Sequence, residues 1–197
     1  GAGEYDPSDG AKYSGGDLAG LARRIDYVRG LGATAVWITP PVANQWWDPQ
    51  VRYGGYHGYW AENLVEVDAH VGTLADLQHL SRRLHANGMF LVQDIVVNHM
   101  GNFFGWPGRF DAQAPQRHVR MNRAARPHGA PTQAPFSLND VRDPAQRAAA
   151  IYHWTPAIRD FADPVQQREW QLADLDDLNT ENPRVRTALR QSYAHWI

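Results

Sequence analysis

Two short apolar runs, each preceded by a segment with helical patterning, constrain this chain more than any other feature. Within residues 33–41 the run Val36-Trp37-Ile38-Thr39 stops at Pro40-Pro41; residues 89–97 read Met-Phe-Leu-Val-Gln-Asp-Ile-Val-Val and stop at Asn98-His99. The first run, stopped by a Pro-Pro pair, predicts a short buried strand, and the second is the strongest strand signal in the chain. Before the first run, Asp17 is placed to cap a helix in which Leu18, Leu21, Ile25 and Val28 recur at helical spacing, and Gly30 and Gly32 end it. Before the second, Thr73 and Asp76 form a capping-box pattern over residues 73–87. Leu74, Leu77, Leu80 and Leu84 make its apolar face, and Asn87-Gly88 closes it. Helix, strand, helix, strand in that order implies parallel strands joined by crossovers, an α/β architecture.

The rest of the chain departs from this alternation. Residues 1–16 read as loop, and residues 42–60 as a loop rich in Trp, Tyr and Gly. Residues 100–175 hold eight prolines and only patchy apolar character. A structureless loop of that length is unusual, so the segment is expected to be a small irregular subdomain inserted after the second strand. A last helix is predicted from Asn182-Pro183, a cap followed by proline in the first turn, with Val185, Leu189, Tyr193 and Trp196 along one side. Two parallel strands can neither close a barrel nor cover both faces of a sheet. The chain is therefore expected to be part of a larger fold, cut at both ends.

Composition narrows the function. Nineteen basic against 21 acidic side chains, a net charge of −2, give no general attraction to nucleic acid or to an anionic membrane. No apolar run approaches the ~20 residues that span a bilayer, and no signal-peptide pattern opens the chain. With no cysteine, disulfides, thiolate metal sites and cysteine nucleophiles are excluded. Eight Trp and eight Tyr, several crowded together, suit a groove for a sugar or another amphipathic ligand.

Five clusters are candidate sites. Gly55-Tyr56-His57-Gly58-Tyr59-Trp60, with Trp46 and Trp47 nearby, offers ring faces to stack on a sugar and an imidazole to donate to a hydroxyl. A loop folded onto the core by its own aromatics is the competing reading. Asp94-Ile95-Val96-Val97-Asn98-His99 ends a strand, where parallel α/β folds bind ligands. The alternative there is a strand-end cap. Asp174, Asp176 and Asp177 lie within residues 172–179 and are either calcium ligands or a solvated loop. Arg109, Arg117, Arg120, Arg123 and Arg126 are either an anion contact or a solvated loop. Asp6 and Asp9 are either a cation contact or an Asp-rich terminus.

Taken in order, these motifs resemble the α-amylase family of glycoside hydrolases. The matching pieces are Gly15-Gly16-Asp17-Leu18-Ala19-Gly20, Ala35-Val36-Trp37-Ile38-Thr39-Pro40-Pro41, Tyr56-His57-Gly58-Tyr59-Trp60, Gly72-Thr73, residues 94–99 and residues 172–183. The resemblance implies a partial TIM (β/α)8 barrel. Residues 1–99 would be its N-terminal part, with the second and third strands; residues 100–175 the irregular inserted subdomain; residues 176–197 the return to the barrel.

It also implies roles. His57 and His99 resemble the histidines that hold sugar hydroxyls at the cleavage subsite. Tyr59 resembles the tyrosine that stacks on that sugar, with Tyr56 and Trp60 beside it. Asp94 resembles a carboxylate that organises the barrel mouth. Asn98 and Asp174 resemble two ligands of a structural calcium, although Ala173 departs from the proline common in that motif. The resemblance places the family's nucleophile, in an Arg-x-Asp motif on the fourth strand, and its Glu acid/base, on the fifth, after residue 197, and so every catalytic carboxylate beyond this chain. The expected parent is a retaining α-amylase-type enzyme acting on an α-glucan or maltooligosaccharide, with secretion or a periplasm favoured by resemblance. Rival readings are a transglycosylase or α-glucosidase of the same family, or a non-catalytic carbohydrate-binding relative.

Overall fold

The computed structural model describes residues 5–197; residues 1–4, the start of the expected N-terminal loop, lie outside it. The helix expected after Asp17 forms as two short ones, α1 (Leu18–Arg23) and α2 (Ile25–Gly30). Asp17 caps the first by accepting from the Gly20 backbone N–H. The break falls at Arg24, and Ile25 is fully buried beside Leu18 and Ala22. Strand β1 (Ala35–Ile38) follows. The capping box at Thr73 and Asp76 is present and opens α3 (Leu74–Ala86), whose Leu77, Leu80 and Leu84 are buried. Leu74 is exposed, because in the first turn it precedes the stripe that faces the core.

Strand β4 (Phe90–Gln93) pairs parallel with β1, from Ala35 opposite Phe90 to Ile38 opposite Gln93. The pairing is shorter than the apolar run 89–97. Asp94 N still donates to Ile38 O at 3.1 Å, but β1 then gives way to Thr39-Pro40-Pro41, whose prolines have no N–H to continue a ladder. The expectation that the first strand is buried holds on one face only, and its partner shares that arrangement. Val36, Ile38 and Leu91 pack against the core of α1, α2 and α3, whereas Trp37 (66% exposed), Phe90 (67%) and Val92 (47%) project from the opposite face, which no described element covers.

The region 42–60 is not wholly loop. Strand β2 (Val42–Asn44) pairs antiparallel with β3 (Ala61–Val67), an element the sequence pattern concealed because its buried side chains include Glu62 and Asn63. Residues 100–175 hold a short hairpin, β5 (Phe104–Gly105) with β6 (Arg120–Met121), and two helices, α4 (Pro144–Ala149) and α5 (Pro164–Glu169). Each helix is capped by an aspartate, Asp143 or Asp163, ahead of a proline. A single 3-10 turn, Leu172–Asp174, follows. Phe103, Phe104, Phe136, Ile151 and Tyr152 from this region are fully buried with Leu64 of β3 and Leu178. Helix α6 (Pro183–Ala194) starts at Asn182, whose side chain accepts from Arg184 N, and adds Val185 and Leu189 to that core. Tyr193 of α6 bonds through its hydroxyl to Val96, and the Trp196 indole donates to Leu64 O at 2.9 Å. These two contacts seat α6 between β3 and the chain that leaves β4.

Candidate functional site: the aromatic loop and the end of β4

The loop before β3 is folded by two glycines. A Cβ on Gly55 would lie 2.3 Å from Gln45 O, and one on Gly58 2.3 Å from Pro40 O, with Gly58 at φ +85°. This close approach lays residues 55–60 over the end of β1, beside the end of β4. There His57 Nδ1 accepts from Tyr59 N at 3.0 Å, which leaves the proton on Nε2. The His57 ring stacks on that of Tyr59 (centroids 5.8 Å, 22°) and meets Trp60 edge-on at 4.8 Å. Tyr59 donates from its hydroxyl to Asp94 Oδ2 at 2.8 Å, and this carboxylate raises the phenol above its ordinary value. Asp94, in turn, is fixed by its own backbone bond to β1.

His99, buried, donates from Nε2 to Tyr59 O at 3.1 Å and accepts at Nδ1 from the Asn98 amide at 3.1 Å. Burial pushes both imidazoles below their ordinary value. For His57 the proximity of His99 adds to that, and for His99 the Tyr59 carbonyl opposes it. Two neutral histidines, a tyrosine and a carboxylate therefore meet at one place. The two histidines are engaged differently. The ring donor without a protein partner among the described residues is His57 Nε2. Both nitrogens of His99 are engaged, so contact with a hydroxyl there requires displacing the Tyr59 carbonyl. Tyr56 is 40% exposed with its hydroxyl on that of Tyr53 at 2.6 Å, and Trp60 is half-buried, its backbone N–H donating to Asn44 Oδ1.

The family model for the alpha-amylase catalytic domain matches residues 4–197. The chain belongs to the alpha-amylase family. It is 28% identical to an alpha-amylase of Streptomyces lividans over 98% of this chain and 23% of that protein. It is 29% identical to a cyclomaltodextrin glucanotransferase of Klebsiella oxytoca over 98% of this chain and 27% of the relative. An Anoxybacillus alpha-amylase structure superposes with TM-score 0.70 at 32% identity, covering 98% of this chain and 33% of that one. The chain thus spans about a quarter of the length of these curated relatives. Its structural neighbours are alpha-amylase TIM-barrel proteins, in keeping with the α/β class read from the strand and helix order.

The remaining residues that the alpha-amylase resemblance singled out are Asn98 and Asp174. Residues 98–101 and 176–178 pair antiparallel, with His99 opposite Asp177 and Leu178 N on Asn98 O. Asp174 lies beyond that ladder and lines a 60 Å³ cleft with Asn102, Gly105, Trp106 and Arg120, a cleft that Asn98 does not reach. Neither the Asn98 side-chain oxygen nor the Asp174 carboxylate has a hydrogen-bond partner among the described residues, and no three His, Asp or Glu side chains there gather into a metal cluster. Asp176 is fully buried, its Oδ1 accepting from the backbone N–H groups of Phe103 and Phe104, so it is a core group and not a solvated one. Burial pushes its carboxyl far up.

Three of the arginines have separate partners, Arg120 on Gln50, Arg123 on Asp140 and Arg117 near Asp111. Lys12 stands between Asp6 and Asp9 at 3.2 and 3.4 Å. The sequence reading missed Gln45, Asp48, Asn102 and Asn122, all buried, whose polar side chains join the two loops of the site.

Proposed function

We propose that this chain is the N-terminal part of a (β/α)8 glycosidase that cleaves α-1,4-linked glucans with retention of configuration. β1 and β4 stand as the second and third barrel strands, and residues 100–175 as the inserted subdomain. The observation that carries this reading is the meeting of His57, Tyr59, Asp94 and His99 at the C-terminal end of β4, joined by three hydrogen bonds of 2.8–3.1 Å. In a barrel of this kind the C-terminal ends of the strands form the reactive mouth. The bare sheet face of Trp37, Phe90 and Val92 supports the same reading, since in a closed barrel it would face the interior.

Each group has a task in a glucan cleft. The Tyr59 ring presents an apolar face to the C–H face of a glucose unit. His57 donates from Nε2 to a hydroxyl of that unit, and its neutral form at pH 7 avoids burying a charge. Asp94 holds the Tyr59 hydroxyl and with it the tilt of the ring. His99 holds the Tyr59 backbone. Double displacement needs a carboxylate nucleophile and a carboxylic acid about 5–5.5 Å apart. Neither belongs to this chain in the proposed reading.

Product analysis tests it. The full-length protein incubated with maltoheptaose is expected to release shorter maltooligosaccharides of retained anomeric form, and the 197-residue chain alone none. No turnover by the full-length protein, or clear turnover by the isolated chain, overturns the reading. The similarity to a cyclomaltodextrin glucanotransferase over nearly the whole chain favours a second reading, transglycosylation, which the same analysis reveals as cyclic products.

Calcium is part of the proposal. Asn98 and Asp174 offer oxygen donors of the hard type that this ion takes, and would tie the end of β4 to the turn at Leu172–Asp174. Chelation is expected to lower the melting temperature of the full-length protein, and Asp174→Ala to remove that sensitivity. A melting temperature indifferent to chelator removes calcium from the account.

A further inference from the structure

The loops that carry the site are not held by regular sheet. Between them runs a buried polar network that joins the stretch 45–50 to the segment following His99. Gln45, fully buried, donates from Nε2 to Asn102 O at 3.0 Å and accepts at Oε1 from Asn102 N at 2.7 Å, so a side-chain amide substitutes for a neighbouring strand. The approach is tight enough that a Cβ on Gly101 would lie 2.6 Å from Gln45 Oε1. At the centre of the network is Asp48, 0% exposed. Its Oδ2 accepts from Asn102 Nδ2 at 2.8 Å. Its Oδ1 accepts from Asn122 Nδ2 at 2.9 Å and from Gln50 N at 2.8 Å. The Asp48 backbone pairs with Tyr53 in both directions (2.9 and 3.2 Å), closing the turn from which Gly54 to Trp60 depart.

No lysine or arginine pairs with this carboxylate among the described residues. A buried carboxylate without a counter-cation is expensive, and it is tolerated only where its lone pairs are taken by donors. An apolar side chain in the same place would fill space but could not set one loop against the other. Every donor here comes from a neutral group, on three different stretches of chain: residue 50, residue 102 and residue 122. The hydrogen bonds are directional, so they fix a register and not merely a contact.

We propose that Asp48 is the positioning residue of the Tyr59–His99 platform: its carboxylate sets the aromatic loop in register with the segment that follows His99. Its kinetic consequence rests on the glucan reading above, but its structural consequence does not. Asp48→Asn places an amide against donors and misaligns the two loops. Asp48→Asn combined with Asn102→Asp restores a donor–acceptor pair at that contact and leaves Oδ1 accepting from Asn122 and Gln50.

Two measurements separate this proposal from the proposed function. In the full-length protein, amide exchange at Tyr59, Trp60 and residue 102 is expected to accelerate more than about tenfold in Asp48→Asn, with Leu80 and Leu84 of α3 unchanged, and to return in the double variant. In the full-length protein, Asp48→Asn is expected to raise KM for maltoheptaose about tenfold with kcat within about twofold, and the double variant to bring KM back to within about threefold. Unchanged exchange at the platform, acceleration shared equally by α3, or no recovery in the double variant overturns the proposal. If the wild-type protein turns over no glucan, the function fails while the exchange measurement still decides on Asp48. If Asp48→Asn does not fold, the double variant decides: recovery of fold and KM supports the proposal, and failure to recover overturns it.

Discussion

His153 lies between two carboxylates, with Nδ1 on Asp177 at 2.5 Å and Nε2 on Glu181 at 2.9 Å, and its side chain is 12% exposed. Burial alone would lower its pKa, but the two acidic partners hold the proton and the net shift is upward. Glu169 adds negative charge near Asp177, and Arg168 of α5 faces Glu181. A histidine whose folded value is raised stabilises fully below its ordinary value near 6.5, and that contribution is lost as pH rises through the raised value. The stability difference between wild type and His153→Gln is therefore expected to be about 1.5–3 kcal/mol below pH 6.5 and to shrink in alkaline buffer. A difference in melting temperature that does not vary with pH contradicts this. His57, Tyr59, Asp94 and His99 were legible in the sequence because each sits within a few residues of a strand end or a glycine turn. Asp48 and Gln45 were not, since their partners, 54 to 74 residues away, leave no local pattern.

At the scale of elements, local signals served well where one segment decides its own state. The Thr73–Asp76 box and the Asn182-Pro183 start both appear with the hydrogen bonds expected of them. Strand β3 escaped notice because its state is decided elsewhere. Asn63 reaches Thr132 at 3.2 Å and Glu62 reaches His128 at 2.9 Å, so polar side chains are buried by tertiary partners that periodicity cannot reveal. The ladder of residues 98–101, 176–178 and 151–153 is likewise built from isolated bridges between distant stretches, His99 to Asp177 and Tyr152 to Leu178. It couples the end of β4 to the region after α5 without any strand long enough to show in the sequence. This explains why residues 100–175 read as irregular and yet fold into a dense aromatic core.

At the scale of the molecule, two cores share the work. One lies between α1, α2, α3 and the covered face of the β1–β4 pair; the other joins β3, the region 100–175 and α6, with Trp196 touching both. The site lies where the two bodies meet, its aromatic loop leading into β3 and its histidine following β4. Parallel pairing and the α/β class followed from element order alone. The open sheet face did not follow from the apolar runs, because a run of apolar residues does not tell which element covers each side. The specific architecture of the platform did not follow, since it depends on contacts between the two cores. If this meeting point is one wall of a glucan-cleaving mouth, kcat/KM for maltoheptaose in the full-length protein separates Tyr59→Ala from Tyr27→Ala, a change at an exposed tyrosine of α2. The expected result is a loss of about a hundredfold or more for Tyr59→Ala and none for Tyr27→Ala; equal values for Tyr59→Ala and wild type would mean that no glucan unit rests on this wall.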